Sequence, residues 1–264
     1  MTATVAPREL EERGLGATHR RDPWWVSPLA VAFGLTAFGV YSFWAALVGN
    51  HYEWGPYLSP FYSPLFLPDW WPLSPAFLIL WAPLGFRATC YYYRKAYYRA
   101  FFLDPVACAV GEPRHDYQGE RKLFLFQNLH RFFMYLAVIF IFILGYDALI
   151  SFMWPVNGVL ADGTSAPGPR EFGVGVGSLV LTANVLLLAG FTFGCHALRH
   201  AVGGSVDCWS CVRFGRQRYA LWRGVTALNE RHMFWAWISL VWVGLADLYV
   251  RLVAMGVITD LRIL

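Results

Sequence analysis

The chain has 264 residues, of which 57% are hydrophobic and 14% are charged. Soluble domains carry about 25% charged residues, so this composition argues against a soluble globular protein and favours one that spans a lipid bilayer. The net charge is only +4, and because the basic residues are distributed as in a membrane topology signal, we infer no binding to nucleic acid.

Five apolar segments are expected to cross the membrane as helices. Each reaches the roughly 20 residues that a spanning helix needs, although Arg87 interrupts the second. The sequence therefore predicts an all-α polytopic membrane protein, with a polar tail of residues 1–23 and a five-helix domain of residues 24–264. The segments are Trp24–Gly49, Ser74–Tyr93, Leu123–Trp154, Phe172–Leu198 and Met233–Ile258.

The distribution of basic residues predicts the orientation. Of the 21 lysines and arginines, four lie in the tail, eight in the stretch 87–131 and six in the stretch 199–231. Basic residues collect on the cytoplasmic side of membrane proteins. We therefore expect a multi-pass protein of the plasma (inner) membrane, with a cytoplasmic N-terminus, an exterior C-terminus and no cleavable signal peptide.

The exterior connections differ in composition. The first, His51–Pro72, is rich in aromatic residues and could form either an interfacial belt or a folded lid. The second, Val156–Arg170, is interpreted as a plain connector. Asp147 and Asp247, in the outer halves of their helices, are expected to pair with neighbouring helices.

On the cytoplasmic side, the second segment is expected to continue as an unbroken helix, since no glycine or proline follows Cys90 until Pro105. Its stretch Tyr91–Arg99 could lie at the lipid headgroups or dock a soluble partner. Cys108 and the lone pair Cys208-Trp-Ser-Cys211 are interpreted as reduced thiols, because disulfides are rare in the cytoplasm.

Six potential metal ligands fall near the cytoplasmic ends of the segments. Thiolates and imidazoles are soft ligands, and ionisable groups inside a membrane are costly enough to indicate function. Helix bundles build cofactor sites from side chains on facing helices. The sequence predicts a centre held by four of these six residues: Cys90, His130, Cys195, His196, His200 and His232.

Helical geometry restricts the fourth segment. At about 100° per residue, His196 and His200 are about 40° apart, whereas Cys195 is roughly 100° and 140° from them. Either Cys195 turns inward, with or without His196 beside it, or the histidine pair does. Both arrangements are open at this point.

Three kinds of centre use ligands of this type. Two cysteines and two histidines match the ligands of a Rieske-type [2Fe–2S] cluster, whose raised potential suits quinone chemistry. A haem b held by two histidines would leave the cysteines unused. A desaturase-like di-iron site also starts from H-x-x-x-H but needs more histidines than this face provides.

A quinone site is expected beside this centre. Aromatic walls with a few polar groups are typical of a small-molecule site. Arg131, Arg231 and Trp235 are the expected contacts of the quinone ring.

Four motifs, over a similarity running from about Trp24 to the C-terminus, resemble the single-chain, five-helix, cytochrome b-like membrane anchor of actinobacterial-type succinate dehydrogenase, respiratory complex II. The motifs are Thr89–Arg99, Gln127–Arg131, Cys195–His200 and Leu228–Met233.

The resemblance implies a membrane anchor bound to a flavoprotein and an iron–sulfur protein, with no soluble active site of its own. Such an anchor passes electrons from succinate, in the tricarboxylic acid cycle, to menaquinone or ubiquinone. It also implies a Rieske-type cluster, with Cys90 and Cys195 as sulfur ligands and His232 as the favoured nitrogen ligand. The alternative is a haem b-binding or cofactor-free structural anchor.

Overall fold

The computed structural model describes residue 23 and the ranges 25–102, 126–204 and 206–264. The expectations for Cys108, for residues 1–22 and for the basic residues of 103–125 lie outside this part of the chain. Helices make up most of what is described. They are α1 Val26–Val48, α2 Ala76–Ile79, α3 Trp81–Thr89, α4 Tyr91–Phe101, α5 His130–Ile150, α6 Val176–Phe193, α7 His196–Gly203, α8 Gly215–Glu230 and α9 His232–Ala254, with short 3-10 helices at Phe126–Leu129 and Trp209–Cys211.

Four of these helices, α1, α5, α6 and α9, are long and apolar enough to cross a membrane. They coincide with the first, third, fourth and fifth predicted segments. The prediction of a helical membrane protein is thus confirmed. A fifth span is not confirmed, because the second segment does not form one long helix in the described residues.

The second segment is divided into α2, α3 and α4. The prediction of an unbroken helix is wrong at Cys90, whose backbone is extended (φ −62°, ψ 133°) and separates α3 from α4. No glycine or proline marks this position, so the residue pattern could not reveal the break.

A second break of the same kind ends the fourth segment. Helix α6 stops at Phe193, and Cys195 is extended with nearly the same dihedral angles (φ −65°, ψ 136°). Helix α7 then begins at His196 and packs against α8, which leads directly into α9. Both membrane cysteines therefore lie at junctions between helices.

The helices pack around these junctions. Helix α6 lies between α5 and α9, α3 packs on α5, and α4 packs on α1. Cys90 and Cys195 belong to one buried apolar cluster, against which Leu35 and Phe38 from the middle of α1 pack. The first turns of α1 therefore extend past this layer, alongside α4.

At the opposite end of the bundle, the first connection is a folded lid. Strand β1 (Glu53–Trp54) pairs with β2 (Tyr57–Leu58), and the rings of Tyr57 and Tyr62 are completely buried. Of the two interpretations of this aromatic stretch, the structure shows the lid.

The second connection is not the plain connector that we predicted. Strand β3 (Met153–Pro155) pairs with β4 (Arg170–Phe172), and the loop between them reaches the lid. The backbone N–H of Gly55 donates to the carbonyl of Gly163 at 2.7 Å. Because this bond joins the two loops directly, they form one cap over the bundle.

Buried charges link this cap to the helices. Asp247, in α9, accepts hydrogen bonds from Arg251 (2.8 Å), Tyr41 (2.6 Å) and Ser59 of the lid. Arg251 is 1% exposed, and its two terminal nitrogens donate to backbone carbonyls. Asp147 accepts from Ser63. Both intramembrane carboxylates are paired, although the lid supplies part of the pairing that was expected from neighbouring helices.

The two cysteines of the loop before α8 do not have the state that was predicted for them. The structure joins Cys208 and Cys211 in a disulfide, where two reduced thiols were expected. Trp209, between them, contacts the rings of Tyr219 and Trp222 on α8. The disulfide thus closes a small loop that packs on the surface of this helix.

The orientation can be tested by cysteine labelling. Ala161, in the second connection, and Ala220, in α8, are both exposed and are predicted to lie on opposite sides of the membrane. In a background with Cys108, Cys208 and Cys211 changed to serine, an impermeant maleimide should label Ala161→Cys in intact cells. It should label Ala220→Cys only after permeabilisation, and the reverse pattern would contradict the predicted orientation.

The buried ion pair offers a test of stability. Asp247→Asn would leave the Arg251 guanidinium buried without its counter-ion, which typically costs about 3 kcal/mol. The matched control is Glu171→Gln, since the Glu171–Arg262 pair is 51% and 43% exposed and such pairs contribute less than about 1 kcal/mol. Denaturant titration in detergent should show a large loss of unfolding free energy for the first variant alone. Equal losses of unfolding free energy in the two variants would contradict the assignment of Asp247 as the counter-ion that stabilises buried Arg251.

Candidate metal centre

Four helices begin in one layer of the bundle, and each begins at a candidate ligand. Cys90 and Cys195 precede the first residues of α4 and α7, while His130 and His232 are the first residues of α5 and α9. A helix N-terminus carries a partial positive charge of about half a unit, so α4 and α7, which start directly after an extended residue, favour negative charge in this layer.

The backbone places each thiol above the start of a helix. The amides of Tyr92 and Tyr93 approach the sulfur of Cys90, and those of Ala197 and Leu198 approach that of Cys195. Neither sulfur makes a regular capping hydrogen bond. These amides are therefore available to stabilise a thiolate.

Each thiol faces the imidazole of another helix. The Sγ atom of Cys195 lies 3.2 Å from Nε2 of His130, and that of Cys90 lies 3.9 Å from Nε2 of His232. Cys90, Cys195 and His232 are at most 2% exposed. The structure thus brings together four of the six predicted ligands as two cysteine–histidine pairs.

Thr89 determines the tautomer of His130. The threonine hydroxyl donates its hydrogen to the carbonyl of Gly85 at 2.6 Å, so its oxygen accepts from Nδ1–H of His130 at 2.9 Å. A neutral imidazole protonated at Nδ1 has a lone pair at Nε2. This lone pair faces the sulfur of Cys195, as a metal-ligating nitrogen should when an outer residue holds the other nitrogen.

His232 lacks the equivalent support. Its Nδ1 atom is buried and has no hydrogen-bond partner in the described part of the chain. Its ring is held by stacking on Phe191 (4.9 Å between centroids) and by contact with Tyr92 (5.2 Å). A buried imidazole nitrogen without a partner needs an explanation, and a ligand is one.

The two halves of the site repeat each other. Phe86 and Phe191 each precede a cysteine by four residues, and their rings contact each other at 5.1 Å. His130 stacks on Phe86 as His232 stacks on Phe191. Sequence reasoning missed these phenylalanines, although the double occurrence of F-x-x-x-C was visible in the chain.

His196 and His200 lie elsewhere. Both are exposed on α7, where their rings contact each other at 4.6 Å, and no thiol is among their contacts in the described residues. Of the two arrangements left open for this segment, the structure has Cys195 turned inward.

The layer is not a preformed metal site in the strict sense. No three His, Cys, Asp or Glu side chains of the described ranges lie close enough together to hold an ion. The chemistry of the donor set is nevertheless that of a metal or cluster site, with two buried thiols and two neutral imidazoles.

The expected quinone contacts are distributed over the same end of the bundle. Trp235 packs against the cluster that contains the cysteines, and its Nε1 is buried without a partner among the described residues. Arg231 is exposed, and Arg131 donates to the hydroxyl of Tyr135 at 3.1 Å. Trp235 is the one of the three that reaches the buried layer.

Two comparisons with known proteins agree with each other. Residues 26–256 match the family model described as actinobacterial succinate dehydrogenase subunit SdhC. Among solved structures, the chain is similar to one from Mycobacterium smegmatis, described as the Sdh1 complex in the apo form. The identity is 40%, 94% of each chain is covered, and the TM-score is 0.73. No curated protein matches.

The family model covers most of the chain, including the two helix breaks and all six candidate ligands. The chain therefore belongs to the actinobacterial succinate dehydrogenase subunit SdhC family.

Proposed function

We propose that this protein is the membrane anchor of a succinate:quinone oxidoreductase and carries electrons through a Cys/His-ligated centre to quinone. The observation that carries the proposal is the meeting of two buried thiols, the buried imidazole of His232 and the partly buried imidazole of His130 where four helices begin. Family membership supports the same function.

The ligands of this centre are Cys90, Cys195, His130 and His232. The set fits a Rieske-type [2Fe–2S] cluster, which takes two cysteines and two histidines and, when bound, supplies a one-electron carrier of raised potential. One feature supports the fit: Thr89 directs a lone pair of His130 into the layer. His232 presents its Nε2 to the sulfur of Cys90, and its buried Nδ1 has no partner among the described residues.

A haem b held by the same histidines is less well supported. Phe86 and Phe191 stack on the two imidazoles and contact each other, so phenylalanine rings fill the space beside both histidines. A macrocycle would have to displace them, and the two thiols would remain without a role.

The partners of the anchor are a flavoprotein and an iron–sulfur protein. Helix α4 offers a docking surface for the latter, since Tyr91, Tyr98 and Phe101 are exposed beyond the ligand layer. Tyrosine and arginine are enriched in protein interfaces, and Arg94 stacks over Tyr91 here. Succinate is oxidised in the soluble partners, and this chain provides no soluble active site.

Quinone binds next to the ligand layer, beside Trp235. This indole lies against the turn of α6 at Gly190, where an added Cβ would come within 2.7 Å of the ring. Its buried Nε1 is available to donate a hydrogen bond to a quinone carbonyl. Arg131 and Arg231 provide positive charge at the surface of the same layer.

Substitution of the ligands tests the centre. Cys90→Ser, Cys195→Ser, His130→Ala and His232→Ala should each abolish a paramagnetic signal of Rieske type, because each removes a ligand. Quinone reduction should stop, while oxidation of succinate by a soluble artificial acceptor should continue.

The matched controls are His196→Ala and His200→Ala, which change exposed histidines at the same end of the bundle. Both should retain the signal. Thr89→Val should weaken the affinity for the metal centre by about tenfold, as loss of an outer hydrogen bond does in metal sites, and so lower the fraction of the protein that carries the signal. Loss of a haem absorption band in the histidine variants, with no effect of the cysteine changes, would favour haem and overturn the assignment.

Replacement of Trp235 tests the quinone site. Trp235→Ala should raise the KM for quinone several-fold or lower turnover while the signal of the centre remains, because it removes a wall of the site and a donor. Trp235→Phe separates the contributions of the ring and the N–H group. If Trp235→Ala has no effect but Asp147→Asn in the outer half stops quinone reduction, the site lies at the other face.

A further inference from the structure

Arg87 occupies an unusual position beside the ligand layer. It lies within the second apolar segment, three residues before Cys90, and its side chain is half-buried. The guanidinium donates to the hydroxyl of Tyr93, to the carbonyl of Ala236 at 3.3 Å and to the hydroxyl of Ser239 at 3.1 Å.

These partners lie on both sides of the ligands. Tyr93 is on α4, beyond the break at Cys90, and its own hydroxyl donates to the carbonyl of Ala236 at 2.5 Å. Ala236 is one helical turn after His232 in α9. Arg87 therefore connects the helix before Cys90, the helix after it and the helix that begins at His232.

The charge of Arg87 is not neutralised by a carboxylate. None of the acidic side chains in the described ranges forms an ion pair with it, and the ion pairs found there involve Arg251 and Arg262. Its guanidinium lies over the rings of Phe191 (4.8 Å) and Tyr93 (5.5 Å). An arginine inside a membrane is costly unless a partner compensates its charge.

The proposed centre supplies that compensation. Phe191, over which Arg87 lies, is also the ring on which His232 stacks. Two thiolate ligands would bring negative charge into the layer to which this arginine is joined by its hydrogen bonds.

We propose that Arg87 is the fixed counter-charge of the Cys/His centre and a positioning residue for Cys90 and His232. This inference rests on the proposed function. Reduction adds an electron to the centre, so a permanent positive charge nearby stabilises the reduced form. At a separation of about 10 Å and an effective dielectric constant of about 20, one unit charge changes the reduction equilibrium roughly tenfold. That corresponds to about 59 mV for one electron.

The test is a redox titration of the paramagnetic signal in the purified complex. Arg87→Gln should lower the midpoint potential by the equivalent of about tenfold, whereas Arg87→Lys, which keeps the charge, should change it by less than about threefold. Tyr93→Phe removes the two hydrogen bonds of the Tyr93 hydroxyl and keeps the charge of Arg87, so it should leave the potential close to that of the unchanged protein.

A second pair of variants tests the charge with the arginine in place. Ser239→Asp introduces a carboxylate against the guanidinium and should lower the potential as Arg87→Gln does, whereas the nearly isosteric Ser239→Asn should not. If the complex that carries Arg87→Gln does not assemble, the comparison of these two variants still tests whether the charge of Arg87 affects the midpoint potential.

The proposed function and the role of Arg87 can be refuted by different results. An unchanged complex without a paramagnetic signal of Rieske type overturns both the proposed function and this inference. A normal signal whose potential is the same in Arg87→Gln and Ser239→Asp as in the unchanged protein overturns the role of Arg87 alone. Equal shifts in Ser239→Asp and Ser239→Asn would show that packing, and not charge, is responsible.

Discussion

The two helix breaks at Cys90 and Cys195 are the constraint on which the rest of this structure depends. The first backbone N–H groups of a helix that starts after a break have no partner within the helix, and inside a bilayer no water can satisfy them. Here α4 and α7 start at breaks within apolar segments, in the layer where α5 and α9 also begin. Such breaks are tolerated in a membrane where they line a site that interacts with the exposed backbone. Thiolates and a bound cluster are the kind of groups that these N-termini favour.

Buried polar groups have different hydrogen-bond partners at the two ends of the bundle. At the outer end, each nitrogen of the Arg251 guanidinium donates within the protein, to Asp247 or to a backbone carbonyl. At the inner end, the polar groups have too few partners in the described residues: Nδ1 of His232 and Nε1 of Trp235 have none, and Arg87 has no carboxylate. The outer end also has a buried polar atom without a partner among the described residues, Nε1 of Trp154. What distinguishes the inner end is that its incompletely partnered groups lie beside two buried thiols.

Much of this could be predicted from composition and segment length. The four long spans, the pairing of the two carboxylates and the shared layer of cysteines and histidines all follow from where apolar segments end. The choice among histidines could not be predicted. The angular argument for Cys195, His196 and His200 assumed one continuous helix, and the break at Cys195 invalidates that assumption. The break at Cys90 has no glycine or proline signature, and the lid depends on contacts between loops that are distant in the chain.

The repeated arrangement around the two phenylalanines has a further consequence, because its symmetry is incomplete. The position of Thr89, three residues after Phe86, corresponds to Gly194 after Phe191. A side chain cannot be accommodated there, since a Cβ atom at Gly194 would lie 2.7 Å from the carbonyl oxygen of Gly190, and Asn229 already donates to the carbonyl of Gly194. The tautomer of His130 is thus set by Thr89, whereas no hydrogen bond within the described residues sets the tautomer of His232, although its ring is held by stacking. The two halves have matching shapes but differ in this one constraint, so a bound ligand can select the tautomer of His232 and meets a fixed one at His130.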